Sequence, residues 1–519
     1  MRNQKGITII ALIITIIVLL ILAGVSIALV VGDNGIATKS QQAKERTTVA
    51  QEREMVNLAY NSAVIDGADP ESALGIIQTE LDNLAGVGKT EVTMDENGNF
   101  NVLYLETRHN YSINGSSVTM AEMQELHITN YSELVAFANM VNSGNPMRNY
   151  FVYLDNNVTI EDDEWVMIGY YGGRDDPSME FGGVFNGNGH TISGLKLPQN
   201  SSYKGLFFGN SGTIKNLNVE ATYTATGGGQ TYAGAICSGN SGKILDCNVN
   251  ITATANSGSD NRDPAIGGIA ATNGGIVNNC TVTGSINASG QFMKAGGIVG
   301  RQYGSGTISN CRSEVSISSY GSSQATGGIT GENGGEIYRC INTGELSSRG
   351  GDNGGITGTQ TYENGVVNEC VNKGNLIGDD PNSSLALGGI CGRNYRSSVT
   401  NCYNAGNISV NTSNYSSGGW AAGIVANEQD DIKIENCYNI GQVTTGIQVS
   451  GYAAFGSTNS IATNSYYNNE TCSQSDSVAT GLTSSEMKAS SFVSQLGSSF
   501  AVDANNINNG YPVLSWQNQ

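Results

Sequence analysis

The sequence is poor in proline, histidine and charge. It has 7 prolines and 3 histidines in 519 residues, and charged residues make up 13%. So little charge is not typical of a disordered tail, and 69 glycines with few prolines predict many tight turns between short strands. The 25 Lys and Arg residues form no cluster, and the net charge is −20, so nucleic acid is not expected as a partner.

Several catalytic and metal-binding motifs are also missing. There is no CxxC, HExxH, GxSxG or GxxxxGK[ST] pattern, and the histidines are confined to His109, His127 and His190. The Asp- and Asn-rich turns leave a calcium site open, although no nonapeptide calcium repeat is present. We therefore expect no cofactor, no metal site and no enzymatic activity.

Paired carboxylates keep one enzymatic alternative open. The pairs are Asp379 with Asp380, Asp430 with Asp431, and Glu332 with Glu336. Two carboxylates can act on a glycosidic bond, so the rival prediction is a surface-anchored polysaccharide lyase or glycosidase. Acids, Arg and Lys clustered in one groove would favour that alternative.

The N-terminus contains a long uncharged segment. Residues 7–31 carry no charge, and 25 helical residues cover roughly 37 Å, enough to cross a bilayer core of about 30 Å. Arg2 and Lys5 precede the segment, which predicts a cytoplasmic N-terminus and an exported remainder. A plain membrane anchor is one interpretation.

A second interpretation comes from Lys5-Gly6-Ile7-Thr8, which resembles a type IV prepilin. The resemblance implies a leader over residues 1–6, cleavage between Gly6 and Ile7 by a prepilin peptidase, and other pilins as partners. Pilins usually carry Glu at the fifth mature position, where this chain has Ala11, so the resemblance supports processing more than filament assembly.

A pilin-like stalk and small α+β headgroup are predicted for residues 32–118. Val49, Val56 and Ala63 recur every seven residues, which indicates one apolar helix face. A second helix is expected at residues 70–84, and strands at residues 91–94 and 101–107.

The rest of the chain is a repeat array. A motif of small residues and an apolar pair recurs nine times, from GLFFG at Gly205 to AAFG at Ala453. Seven copies are followed by a cysteine, at intervals of 29 to 35 residues. This period predicts a parallel, right-handed β-helix of about nine coils with three strands each. Its cysteines are Cys247, Cys280, Cys311, Cys340, Cys370, Cys402 and Cys437.

Equivalent positions in stacked coils form columns. We expect the cysteines to form one interior column of unpaired thiols, because parallel Cβ vectors in an odd-numbered ladder do not suit disulfides. The asparagines that follow four of them should form a hydrogen-bonded amide ladder. These are Asn342, Asn372, Asn404 and Asn439.

The copies resemble the GLUG-motif repeat of bacterial surface proteins. The resemblance covers residues 128–519 and includes FGGVFNGNGHTISGLKL from Phe181. It implies an entrance cap over residues 119–180, a β-helix over 181–470 and a C-terminal cap over 471–519. We predict a pilin-like cell-surface protein that displays its solenoid for adhesion. One version of this prediction makes it a minor or tip component of a type IV pilus. Its extracellular ligand, a glycan or a protein, should bind the loops at 256–263, 379–384 and 412–419.

Overall fold

The computed structural model describes most of residues 36–519. The gaps are residues 66, 95–97, 106, 116, 122, 162–164, 170–179, 197–201, 227–230, 258–262, 362–364, 380–384, 412–418, 430–432, 446–450, 454–455, 457–460 and 473–475. The predicted leader, the Gly6–Ile7 cleavage site and the membrane segment lie outside the described residues. Among the described helices, none is long and apolar enough to cross a bilayer. The chain divides into two compact units between Gln124 and Glu125.

The first unit packs two helices on a small antiparallel sheet. Helix α1 is Ile36–Ile65 and α2 is Pro70–Ala85. Val56 and Ala63, two of the predicted apolar positions, are buried against Ile77 and Leu81 in one core cluster. The strands are Thr90–Met94, Phe100–Tyr104, Asn110–Asn114 and Ser117–Ala121.

One buried carboxylate ties α1 to this sheet. Glu52 accepts hydrogen bonds from the Thr107 hydroxyl at 2.6 Å and the Tyr111 hydroxyl at 2.9 Å, and its Oε2 lies 2.5 Å from His109 Nδ1. His109 therefore has a structural role in this unit.

The second unit is a parallel β-solenoid of about eight turns, fewer than the predicted nine. Each turn contains four strands, which contribute to four parallel sheets, where the sequence predicted three strands. The GGI element forms two strands, because its glycines let the backbone bend sharply. A Cβ on Gly296 would lie 1.9 Å from the carbonyl oxygen of Val299.

The first half of each GGI element forms sheet 1. Within the described residues its strands are Tyr203–Lys204, Tyr232–Gly234, Ala265–Gly267, Lys294–Gly296, Ala325–Gly327, Gly351–Gly354, Leu385–Gly388, Gly419–Ala422 and Gly451–Ala453.

The second half forms sheet 2. Its described strands are Phe207–Asn210, Cys237–Asn240, Ala270–Asn273, Val299–Gln302, Thr330–Asn333, Thr357–Gln360, Cys391–Tyr395 and Val425–Gln429. The ninth motif copy, at Ala453, contributes a described strand to sheet 1, and Gly456 forms an isolated parallel bridge with Val425 of sheet 2.

The strands before the cysteine column form sheet 3. Those described are Gln124–Ile128, Tyr150–Leu154, Val184–Asn186, Thr213–Lys215, Lys243–Leu245, Ile276–Asn278, Thr307–Ser309, Glu336–Tyr338, Val366–Asn368, Ser398–Thr400, Lys433–Glu435 and Ile461–Thr463.

The strands after the cysteine column form sheet 4. In the described part of the chain they are Val158–Thr159, Thr191–Leu195, Asn218–Thr226, Asn248–Asn256, Thr281–Ser289, Arg312–Tyr320, Ile341–Asn342, Leu346–Arg349, Val371–Asn372, Leu376–Gly378, Tyr403–Asn404, Ile408–Val410, Tyr438–Asn439, Val443–Thr445, Tyr466–Asn468 and Thr480–Leu482.

A helix closes the first end of the solenoid. Helix α3, Tyr131–Asn142, begins after Asn130, whose side chain accepts a hydrogen bond from the Glu133 backbone N–H at 3.1 Å. Phe137 of this helix packs on Phe185 and Phe207, with ring centroids 5.8 and 6.5 Å apart. The helix thereby covers the apolar interior that an open solenoid end would expose to water.

The C-terminal segment completes the second unit. It contains helices α4, Ser484–Lys488, and α5, Ser490–Leu496, the antiparallel strands Phe500–Ala501 and Val513–Leu514, and the 3₁₀ helix Ser515–Asn518.

Candidate binding face

The predicted cysteine column lies inside the solenoid. All ten cysteines of the chain are buried and unpaired. The Cys311 thiol donates to the carbonyl oxygen of Ser309 at 3.2 Å, and each of the other six column cysteines makes the same contact two residues back. Burial raises the pKa of the Cys280 and Cys311 thiols well above the usual value. Cys280 and Cys311 therefore stay protonated, and all seven column cysteines serve as small core side chains.

The predicted asparagine column is also internal. Nδ2 of Asn342 donates to Oδ1 of Asn372 at 2.9 Å, and the bonds from Asn372 to Asn404 and from Asn404 to Asn439 are both 2.8 Å. Each amide also donates to the carbonyl oxygen two residues ahead, as Asn342 does to Gly344 at 3.1 Å. The ladder satisfies buried amides between coils and belongs to the scaffold.

A second amide ladder follows sheet 2, and the sequence interpretation missed it. Asn210 donates to Asn240 and Asn240 to Asn273, both at 2.8 Å, and Asn273 donates to Gln302 at 3.4 Å. The signal was available, because Asn or Gln recurs four residues after the Ile of each GGI element over these coils.

A column of left-handed residues was missed as well. The residue before each of the seven column cysteines, and before Leu217 and Ser465 at the equivalent positions, has φ near +50°, a conformation in which Asn and Asp are enriched. The recurring Asn-Cys dipeptide was its signal in the sequence. The column is Asn216, Asp246, Asn279, Asn310, Arg339, Glu369, Asn401, Asn436 and Asn464.

Charged side chains cluster at the corner between sheets 1 and 2. Lys294 Nζ lies 3.1 Å and Arg301 Nε 2.9 Å from the Glu332 carboxylate, and Arg393 Nε lies 3.1 Å from that of Asp352. The enzyme alternative predicts a cluster of this kind lining a groove. However, its side chains are only 11–26% exposed and are paired with each other. We therefore assign the cluster first to holding the two sheets together.

The loops and carboxylate pairs predicted for binding are mostly outside the described residues. This applies to Asp380, to Asp430 and Asp431, and to most of the loops at 256–263, 379–384 and 412–419. Glu332 lies in the corner cluster, so of its pair only Glu336 is exposed. His190 belongs to a turn in which its backbone N–H donates to the carbonyl oxygen of Gly187 at 2.8 Å.

Sheet 4 presents an open polar face on four coils. These coils contribute the nine-residue strands Asn218–Thr226, Asn248–Asn256, Thr281–Ser289 and Arg312–Tyr320, which pair in register without a break from one strand to the next. Exposed and buried residues alternate along them, as in Arg312–Tyr320. The outward residues are mostly Thr, Ser and Asn, over an area of roughly 26 Å by 14 Å.

The same face is covered on the following coils. One outward column reads Asn218, Asn248, Thr281 and Arg312, and then changes to Ile341, Val371, Tyr403, Tyr438 and Tyr466. The apolar half packs against residues 483–518, which we call the C-terminal cover. Lys373 Nζ donates to the carbonyl oxygen of Ile507 at 2.8 Å, and the Tyr403 hydroxyl donates to Gln517 at 3.1 Å. The change from polar to apolar therefore separates an open half from a covered half.

A cavity lies at one edge of the open half. It has a volume of about 330 Å³ and lies beside two adjacent outward columns of sheet 4. The first column is Thr254, Asn287, Ser318 and Ser347, and the second is Ser289, Tyr320, Arg349 and Asp379. We call it the Tyr320 cavity. It lies next to the start of the predicted binding loop at 379–384.

Comparison with known proteins identifies the repeat. Residues 294–318 and 383–409 match the model of the GLUG motif. Each match starts in sheet 1 and ends in sheet 4, so each covers one coil. No curated protein matches the chain.

Two solved structures are similar to this chain at low identity. One is a candidate immunoglobulin A1 protease from Bacteroides ovatus, at 18% identity and a TM-score of 0.37, covering 75% of this chain and 92% of that one. The other is named IgA1 protease, at 17% identity and a TM-score of 0.35, covering 63% of this chain and 25% of that one.

The prediction that the protein is not an enzyme is contradicted by this comparison, because both solved structures are named as proteases. At these TM-scores the likeness assigns neither a reaction nor a residue to this chain. The fold is a parallel β-solenoid, and two segments of it, residues 294–318 and 383–409, match the GLUG motif.

Proposed function

We propose that the protein is a surface or secreted β-solenoid protein that binds an extracellular ligand through the open half of sheet 4. The observation that carries the proposal is the division of this sheet. The chain covers the apolar half with its own C-terminal segment and leaves a flat, hydroxyl-rich half of four coils uncovered. A rigid sheet of short polar side chains offers many hydrogen-bonding groups that lose little conformational entropy on binding.

Attachment to the cell is a separate part of the proposal. It depends on residues 1–31, where the basic leader, Gly6 and the uncharged segment support a membrane anchor processed by prepilin peptidase. Mass spectrometry of the mature N-terminus tests it. A terminus at Ile7 would support processing, and an intact Met1 would favour a plain anchor.

Binding of the labelled full chain to cell surfaces and to purified extracellular polysaccharides tests the main proposal. Thr252 and Ser316 are exposed in one column of the open half, so T252R with S316R places two bulky cations on the face. We expect this variant to lose at least tenfold in affinity. The matched control S305R changes an exposed serine in the turn between sheets 2 and 3 and should bind like the wild type. Equal binding by the face variant would refute the proposal.

A second candidate function, a carbohydrate-active enzyme, is favoured by the corner cluster. The cluster places the carboxyl groups of Glu332 and Asp352 beside basic side chains, and burial raises the pKa of the Asp352 carboxyl although the Arg393 guanidinium opposes this shift. Incubation with polysaccharides, followed by size analysis of the products, tests it. Chain shortening that is lost in Asp352→Asn would support the enzyme, whereas intact polysaccharide would exclude it for the substrates used.

A further inference from the structure

We propose that the Tyr320 cavity is a binding site for a neutral sugar residue of a glycan. This inference rests on the proposed function, because it names the ligand class of the open face. The two columns that line the cavity differ in height. Ser318 and Ser347 are short, whereas Tyr320 and Arg349, one column further along the same strands, are long and exposed. The column of Thr254, Asn287, Ser318 and Ser347 forms the floor of the cavity, and the column that contains Tyr320 and Arg349 forms its wall.

The wall contains an aromatic ring that the protein itself does not cover. Tyr320 is 58% exposed, although aromatic side chains usually gain stability from burial. Its neighbours in the column are Ser289 and Arg349, one coil away on either side at about 4.8 Å. One face of a sugar ring consists of C–H groups, and an exposed aromatic ring is a suitable surface for it.

The floor supplies both donors and acceptors. The hydroxyls of Thr254, Ser318 and Ser347 can each donate and accept, and the Asn287 amide has two donors and one acceptor oxygen. Sugar hydroxyls need the same mixture. A peptide backbone would instead need an unpaired strand edge, and strands on both sides of the cavity are already paired within sheet 4.

The charges of the lining favour a neutral ligand. Arg349 is the single cationic and Asp379 the single anionic side chain among the described lining residues, so their formal charges cancel. They occupy successive positions in one column, so adjacent hydroxyls of one sugar could accept from the first and donate to the second. A volume of about 330 Å³ lies at the lower end of the range for small-ligand sites and suits one or two sugar residues.

Saturation-transfer NMR with the full chain tests the inference. The probes are glucose, galactose, mannose and N-acetylglucosamine, each with its short oligomers. We expect saturable binding of at least one probe and at least a tenfold loss of affinity in Tyr320→Ala. The matched control is Tyr303→Ala, which removes an exposed tyrosine from the turn between sheets 2 and 3 and should bind normally. Because Tyr320 is exposed, the thermal unfolding of its variant should match that of the wild type.

The possible failures are distinguishable from those of the proposed function. If no neutral sugar binds, or if Tyr320→Ala binds as well as the wild type, the inference is wrong. Surface binding that is sensitive to T252R with S316R but unaffected by free sugars would leave the proposed function intact and point to a protein ligand. Sugar binding that depends on Tyr320, without any binding to cell surfaces or extracellular polysaccharides, would support the inference and contradict the proposed function.

Discussion

Tyr403 and Tyr438 stack face to face on neighbouring coils, with ring centroids 5.0 Å apart and an angle of 2° between the rings. Both rings lie beneath the C-terminal cover. Asn508 of the cover donates to the Tyr438 hydroxyl at 2.8 Å, and that hydroxyl in turn donates to the carbonyl oxygen of Pro512. This stack joins the cover to the solenoid through packing and hydrogen bonds together.

Tyr438→Ala should release the cover. Loss of a buried aromatic side chain costs about 3–5 kcal/mol in the free energy of unfolding. Tyr438→Phe keeps the stack and should cost about 1–3 kcal/mol, because Asn508 and Pro512 lose a hydrogen-bond partner. Urea unfolding followed by tryptophan fluorescence, with limited proteolysis of residues 483–518, measures both effects. Equal losses in the two variants would contradict a role for the stack.

Gly358→Ala should disrupt the corner between sheets 1 and 2. An added Cβ would lie 2.4 Å from the backbone nitrogen of Thr326, so one of the two strands must move. Gly239→Ala, in the same sheet, is the control, because its nearest atom is the Thr272 hydroxyl at 3.5 Å. We expect the control to keep the wild-type melting temperature and Gly358→Ala to lower it by several degrees, as measured by circular dichroism. Similar melting temperatures would show that the corner is not tightly packed.

The thiols of Cys280 and Cys311 should be unreactive in the folded protein. Because burial raises the pKa of Cys280 and Cys311, thiolate should not form in the folded state up to about pH 9. Alkylation of denatured protein without reductant should modify all ten cysteines. Rapid modification of the native protein would contradict their burial.

Replacing a column cysteine with serine should be mild. Ser465 follows Cys437 in this column, and its hydroxyl donates to the carbonyl oxygen of Thr463 at 3.0 Å, the contact that each cysteine makes. Cys311→Ser should therefore cost about 1 kcal/mol, and the bulkier Cys311→Leu about 1–3 kcal/mol through overpacking. Urea unfolding of both variants tests this order.

The corner cluster should make stability depend on pH. Burial raises the pKa of Asp352 above its unfolded value of about 3.9, so the folded state favours the protonated form. Its contribution is then fully present below about pH 4 and is lost as the pH rises through the folded pKa. The melting temperature of the wild type relative to Asp352→Asn should therefore fall as the pH rises above about 4. A difference that grows with pH would show that the ion pair with Arg393 dominates.

The repeat period predicted the columns but not the shape of the coil. Ile298 and Cys311 recur at equivalent positions, and a stack with one register places them inside, where both are buried. Whether Gly296 continues a strand or bends it depends on how closely the next strand approaches. A Cβ on Gly296 would also lie 2.7 Å from Cα of Thr330 in the neighbouring turn, and no local pattern encodes that contact.

The Tyr320 cavity could not be predicted for a similar reason. Ser318, Arg349 and Asp379 are far apart along the chain and become neighbours only through the register of three coils. An exposed Tyr or Arg in a variable segment is not marked by any sequence pattern as part of a binding site. The C-terminal cover had a weak signal, since Tyr403, Tyr438 and Tyr466 each follow a residue of the cysteine column.

The division of sheet 4 also determines where this chain can lengthen during evolution. Duplication of a coil in the open half would add another row of Thr, Ser and Asn and widen the polar face by about 4.8 Å. Duplication between Ile341 and Tyr466 would add an apolar row beyond the reach of a cover of fixed length. That row would be an exposed apolar stripe, which favours aggregation. The number of coils before Arg312 is therefore free to vary. The number of coils after Arg312 is limited by the length of the C-terminal cover.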